Sequence, residues 1–206
     1  MLLSHNDESG VSEAVILNRP ITKNINKRLA KLLLEGGNGS GVGSFSHDFV
    51  DLVVRAFGDE AAVYMGGPHH QDEPAILLHG IPNLPCAIEI APGTNIYRGG
   101  WEAAVEGVLK GTFQPLDFRV FLGRQSYDPK LYPERGTLRQ KVQDGAYQPL
   151  ACARSLALKQ CLGLPKPLWH EGALRLLDDV GTINRSHSLN CLESLAALVS
   201  SRIMWR

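Results

Sequence analysis

The sequence is short of most features that announce a function by composition. It has no excess of charge, with 21 Lys+Arg against 21 Asp+Glu in 206 residues. A dedicated nucleic-acid binder carries a basic excess, because phosphate neutralisation supplies most of its non-specific affinity. Nucleic acid is therefore not an expected partner. No apolar run approaches the roughly 20 residues of a membrane helix. The best stretch, 74–88, is broken by Pro74, Pro82 and Pro85 and by His79 and Asn83. Cysteine is sparse: Cys86, Cys152, Cys161 and Cys191 form no C-x-x-C pair and match no zinc ribbon or finger. They read as reduced thiols of an intracellular, soluble protein. The first ten residues are polar and lack a secretory apolar core.

Catalytic signatures are missing as well. Gly36 to Ser44 holds five glycines in nine residues. It follows a helical pattern rather than a strand, lacks the third glycine of G-x-G-x-x-G, and contains no Gly-Lys-Ser/Thr. It reads as a surface loop, and no cofactor is expected. The string Gly39-Ser40-Gly41-Val42-Gly43 is not a nucleophile elbow, which needs a strand before it. No catalytic residue is assigned.

What is present is the periodicity of a globular α/β (α+β) protein, with 44% hydrophobic and 20% charged residues. Ala14–Leu17 reads as a buried strand ended by Pro20. Ile21, Ile25, Leu29, Leu32 and Leu33 share one helical face, and the helix stops at Gly36-Gly37. Phe45, Phe49, Leu52, Val53 and Ala56 begin a second helix that stops at Gly58. Strand-like runs follow at 62–65, 75–79 and 87–91, then a helix from Trp101 to Leu109 and a strand over 118–122. Beyond a Pro-bearing loop at 128–136, residues 138–161 read as partly helical with a break near Pro149. Further helices are expected at 167–177 and at 189–199, where Leu192, Leu195 and Val199 share an apolar face. Strands alternating with helices predict a mixed sheet packed with helices, in one main domain at 1–177 and an extension at 178–206.

Two features bear on function. The neutral total hides a division of −5 over residues 1–103 and +5 over 104–206. The stretch 119–166 has nine basic and three acidic residues, among them Arg124, Lys130, Arg135, Arg139 and Lys141. It reads either as a face for an acidic partner or as ordinary solvated surface. The densest polar cluster is His69, His70, Asp72, Glu73 and His79. Imidazoles and carboxylates bind metals and move protons. Adjacent histidines in a loop also point in different directions, and no ordered ligand spacing is present. A polar turn with His79 packed at a strand end explains the same residues.

Four strings in order carry a resemblance. They are Ala14-Val15-Ile16-Leu17-Asn18-Arg19-Pro20, Val63-Tyr64-Met65-Gly66-Gly67-Pro68, Leu77-Leu78-His79 and Arg119-Val120-Phe121-Leu122-Gly123. Together they resemble the YqgE/AlgH family of small bacterial and plastid proteins over residues 2–177. The resemblance implies a curved mixed sheet packed with helices, and implies that Asn18, Arg19, Pro20, Gly66, Gly67, Pro68, His79, Arg119 and Gly123 maintain the fold. Pro20 and Pro68 would end strands, Gly66-Gly67 would supply a positive φ, and Arg19 would hold a loop through its fork. The family pattern has a further strand before the position of Leu2. This sequence departs from it after Gly123 and in residues 178–206. Strings 148–152 and 164–170 look more like algal members.

The resemblance carries no established catalytic residues. It implies a non-catalytic interaction protein: an accessory or assembly subunit, on the stromal side of a plastid thylakoid photosynthetic complex if the algal character holds. Its contacts with other protein subunits would be Arg124, Lys130, Arg135, Arg139, Lys141, Leu192, Leu195 and Val199. The alternatives are a metal-dependent or ligand-binding enzyme on the 69–79 cluster, and the transcription-related role that the family label suggests.

Overall fold

The computed structural model describes residues 1–160 apart from Lys23, residues 38–44 and Leu150. The helices expected at 167–177 and 189–199 lie outside the described residues, and with them Leu192, Leu195 and Val199.

The chain opens with β1 (Leu2–His5), β2 (Ser12–Ala14) and β3 (Pro20–Thr22). Helices α1 (Lys27–Glu35) and α2 (His47–Phe57) follow, then β4 (Val63–Met65), β5 (Ile76–His79), β6 (Ala87–Glu89) and β7 (Tyr97–Gly99). Next come α3 (Trp101–Leu109), β8 (Phe118–Leu122) and β9 (Gln125–Tyr127). Short helices α4 (Leu138–Gln143) and α5 (Arg154–Ala157) end the described chain.

Six strands form one mixed sheet in the order β3-β4-β8-β5-β7-β6, with β4 and β8 parallel and the other pairs antiparallel. The expected mixed sheet with helices is thus present. A second, three-stranded antiparallel sheet, β1-β2-β9, accompanies it.

Alternation along the central strands builds two cores. Val63, Leu77 and Val120 face a core shared with Leu33, Val53, Phe57 and Val105 of the three long helices. Their neighbours Tyr64, Leu78 and Phe121 face a second core with Leu3 and Val15. The near-continuous apolar runs of β4, β5 and β8 follow from this burial on both sides. Caps fix the helix starts: the side chains of Asn26 and Ser46 accept the N–H groups of Leu29 and Phe49.

Two sequence expectations fail here. Pro20 begins β3 instead of ending a strand, and Ile21 lies in that edge strand rather than on α1, half exposed. Proline lacks the N–H of an interior strand residue and suits a first edge position. The apolar run Ala14–Leu17 contributes only Ala14 to a strand, the end of β2.

Candidate functional site

The polar cluster forms where β4 leaves the large sheet and the chain turns from β8 of that sheet into β9 of the small one. Gly66 donates its N–H to the Leu122 carbonyl at 2.8 Å, and its own carbonyl accepts from Ile16 at 2.8 Å. His69 and Arg124 then exchange backbone bonds of 3.0 and 2.8 Å. The expected positive φ is not at Gly66 or Gly67 but at Gly123, with φ +66°. What Gly66 and Gly67 supply is space. A Cβ on Gly67 would lie 2.2 Å from the Arg124 carbonyl carbon, and one on Gly66 2.3 Å from the Gly123 oxygen.

Arg124 is the hub of the junction. Its Nε donates to Glu13 at 2.6 Å and its Nη1 to Glu73 at 2.7 Å. The second Glu73 oxygen accepts from His70 Nδ1 at 2.7 Å. Burial pushes the Glu73 carboxyl up, but bonds from Arg124 and His70 outweigh it and hold the group below its ordinary value. The guanidinium of Arg124 responds in kind: burial lowers its pKa, and its bonds to Glu73 and Glu13 raise it further.

His69 is 8% exposed. Its Nδ1 faces the Ser126 N–H at 3.0 Å, and its Nε2 meets the Arg135 guanidinium. Tyr132 stacks on the ring at 4.6 Å. Burial, then Arg135 and His70, hold its pKa below the ordinary 6.5.

The other candidate positions go elsewhere. His79 is fully buried in the helix-side core, between the rings of Tyr97 at 5.8 Å and Phe118 at 5.5 Å. Asp72 is exposed, and its carbonyl accepts the Gly37 N–H at 2.9 Å. Among the described residues, no three His, Cys, Asp or Glu side chains converge on a common metal position. The structure therefore joins His70 and Glu73 through one hydrogen bond, sets His69 beside them, and separates both from His79.

The motif residues divide similarly. Asn18 and Arg19 are exposed, and it is the Arg19 carbonyl that is used, accepting from Met65 at 2.8 Å. The buried fork belongs to Arg119, which is 1% exposed. It donates to the Ala157 carbonyl at 2.8 Å and to the Leu17 carbonyl, with Tyr64 and Phe121 rings 4.4 and 5.0 Å from its guanidinium carbon. Among the expected partner cations, Arg124 points inward and Arg135 lies on His69. Lys130 and Arg139 are exposed, Arg139 near Asp7 at 3.4 Å, and Lys141 is half-buried. Sequence reading missed Glu13, Ser126 and Tyr132. They reach the site from β2, β9 and the following loop, and no local spacing could reveal them.

An open apolar groove of about 720 Å³ borders the cluster at Glu73. Leu34, Phe45, Ile76, Ile88 and Trp101 line it, with Arg98 and Cys86 at its rim.

A mixed sheet with helices on one face, a small sheet on the other and a part-buried ion network at the join defines an α+β scaffold. The chain belongs to the AlgH-like family, whose model (DUF179, AlgH-like) matches residues 1–180. Its fold is similar to the solution structure of the AlgH protein from Pseudomonas aeruginosa. That match has a TM-score of 0.53 and 16% identity, covering 91% of this chain and 82% of the other. A crystal structure of a Corynebacterium diphtheriae protein matches with a TM-score of 0.51 and 14% identity, over 85% of this chain and 75% of that one. At these identities the likeness is one of fold. None of the curated proteins matches the chain.

Proposed function

We propose that this chain is a non-catalytic protein-interaction module, an accessory or assembly subunit of a larger complex. One observation carries the reading. The residues best suited to catalysis are consumed by one another: Arg124 by Glu13 and Glu73, and His70 by Glu73. A general acid or base needs a free position within hydrogen-bond reach of a substrate. Here the carboxylate is held low and both of its oxygens are taken.

The finer placement is the stromal face of a plastid photosynthetic membrane complex. Its support is the algal character of residues 148–152 and 164–170. The association proposed with such a complex is peripheral, and among the described residues no helix is long and apolar enough to cross a membrane. The exposed Lys130 and Arg139 are the first contacts to test, together with Leu192, Leu195 and Val199 in the proposed 178–206 extension. Native purification in mild detergent with mass spectrometry tests the reading. Stoichiometric subunits that dissociate from a Lys130→Glu, Arg139→Glu variant support it. Migration alone at the monomer mass overturns it.

A further inference from the structure

Residues 128–137 form a strap against the junction, with Tyr132 and Arg135 on His69. Its own bonds hold its shape: Tyr132 N–H to the Asp128 carbonyl at 2.8 Å, Arg135 N–H to the Tyr132 carbonyl at 3.0 Å, and Lys130 N–H to the Asp128 carboxylate at 2.8 Å. Its one large aliphatic side chain, Leu131, is 64% exposed and adds little grip. The strap meets the junction at His69, through the Tyr132 ring and the Arg135 guanidinium, while Pro129 and Thr137 lie beside Gly10.

His69 is a poor place for a second proton. The Ser126 backbone N–H can only donate, and so can a guanidinium. A neutral imidazole offers one lone pair to these two donors, and an imidazolium offers none. Protonation would therefore remove the bond across the two sheets and set a cation against Arg135. The surrounding charges give no relief. On its own loop, His70 lies 6.5 Å away, ring to ring, and is paired with Glu73. From the turn between β8 and β9, Arg124 meets His69 through its backbone, and its side chain is committed to Glu13 and Glu73. On the strap, Glu134 lies 3.6 Å from Arg135, and Tyr132 is stacked.

We propose that the 128–137 strap is a pH-sensitive clasp, closed by neutral His69 and released when that ring takes a proton. The proposal is independent of the interaction reading and stands if no partner is found. The lowered pKa of His69 gives the sign. With the strap closed, burial and Arg135 hold the ring below its ordinary 6.5; opening removes Arg135 and part of the burial, so the ring takes a proton more readily. Between the open-state and closed-state values, opening grows about tenfold for each pH unit of acidification.

Amide hydrogen exchange of the full chain from pH 8 to pH 5, corrected for intrinsic rates, tests the clasp. Protection at Ser126 and in 128–137 should fall in that window while β8 stays protected. In His69→Gln, which can still accept from Ser126 but does not titrate, the pH dependence should vanish. Strap protection that is flat with pH, or equally pH-dependent in His69→Gln, overturns the proposal. Should His69→Gln fail to fold, the ring's titration in the native chain decides by nuclear magnetic resonance. A His69 value at or above 6.5 overturns the clasp. A lower value that rises in Arg135→Met supports it.

Discussion

The close approach of Gly67 to the Arg124 backbone gives a demanding test of the fold. Ala at position 67 would place its Cβ 2.2 Å from the Arg124 carbonyl carbon and 2.4 Å from the Arg124 oxygen and the Gln125 nitrogen. Carbon atoms in good contact sit about 3.5–4.0 Å apart. All three neighbours are backbone, so no side chain can rotate away, and the loop and the β8–β9 turn must separate by about 1 Å or more. Overpacking costs about 1–3 kcal/mol where neighbours can adjust. The two backbone bonds between His69 and Arg124 add about 1 kcal/mol each if they are lost. Gly67→Ala should therefore cost about 3–5 kcal/mol, a large part of the 5–15 kcal/mol that stabilises a typical domain. Gly93→Ala is the control: φ is +81°, yet nothing lies within 4 Å of the added carbon. It should cost only the left-handed conformation, about 1–2 kcal/mol. Urea unfolding at constant slope measures both. If Gly67→Ala costs no more than Gly93→Ala, the close-approach argument is wrong.

Other substitutions probe separate links. Arg119→Met should cost about 2–4 kcal/mol by urea unfolding, because the part-buried Leu17 carbonyl and the buried Ala157 carbonyl lose their donor; a cost under about 1 kcal/mol would mean solvent replaces it. Glu73 is held below its ordinary 4.5, so its contribution is present above that pH and is lost as the pH falls through the lowered value. Glu73→Gln should accordingly flatten part of the acid limb of a stability–pH profile, and an unchanged limb would refute the assignment. Asn26→Ala removes the α1 cap and should cost about 1 kcal/mol, read as a shift of the unfolding midpoint.

Much of the architecture was legible because burial imposes periodicity. The runs at 62–65, 75–79, 87–91 and 118–122 became β4, β5, β6 and β8, and the helical faces ending at Gly58 and Leu109 became α2 and α3. The strands that were missed are short and partly exposed. β1 shows the pattern of one buried residue in four, and β7 contains Arg98 and Gly99. Such strands are fixed by pairing with distant partners, which a local window does not contain. Ile21 misled for a related reason: it falls on the α1 period but sits behind Pro20 in an edge strand. The site was half legible. A cluster at 69–73 was visible, but its hub Arg124 and its partner Glu13 lie 51 residues after Glu73 and 111 residues before Arg124. Ion pairs at that separation leave no spacing to read.

The two histidines buried among the described residues, His69 and His79, should answer acid in different ways. His69 secures a strap, and its protonation is expected to open residues 128–137 alone. His79 lies on the helix-side face of β5 with Leu77, and its Nδ1 accepts the Ile81 N–H at 3.2 Å where the strand turns away. Its Nε2 is buried next to the Gly99 backbone without a hydrogen bond of good geometry. Burial lowers its pKa more than the Gly99 and Ile81 backbone contacts raise it. Its folded value is thus below 6.5, and global stability should be full above 6.5 and decline as the pH falls toward the lowered value. His79→Leu keeps the volume and removes the titration. It should lose about 1 kcal/mol at neutral pH with the Ile81 bond, yet close the gap on the native chain as the pH falls from 6.5 to 5. Denaturant unfolding across that range reads the difference. A constant gap would mean that His79 titrates normally in the fold and that its enclosure by Tyr97 and Phe118 does not set its charge.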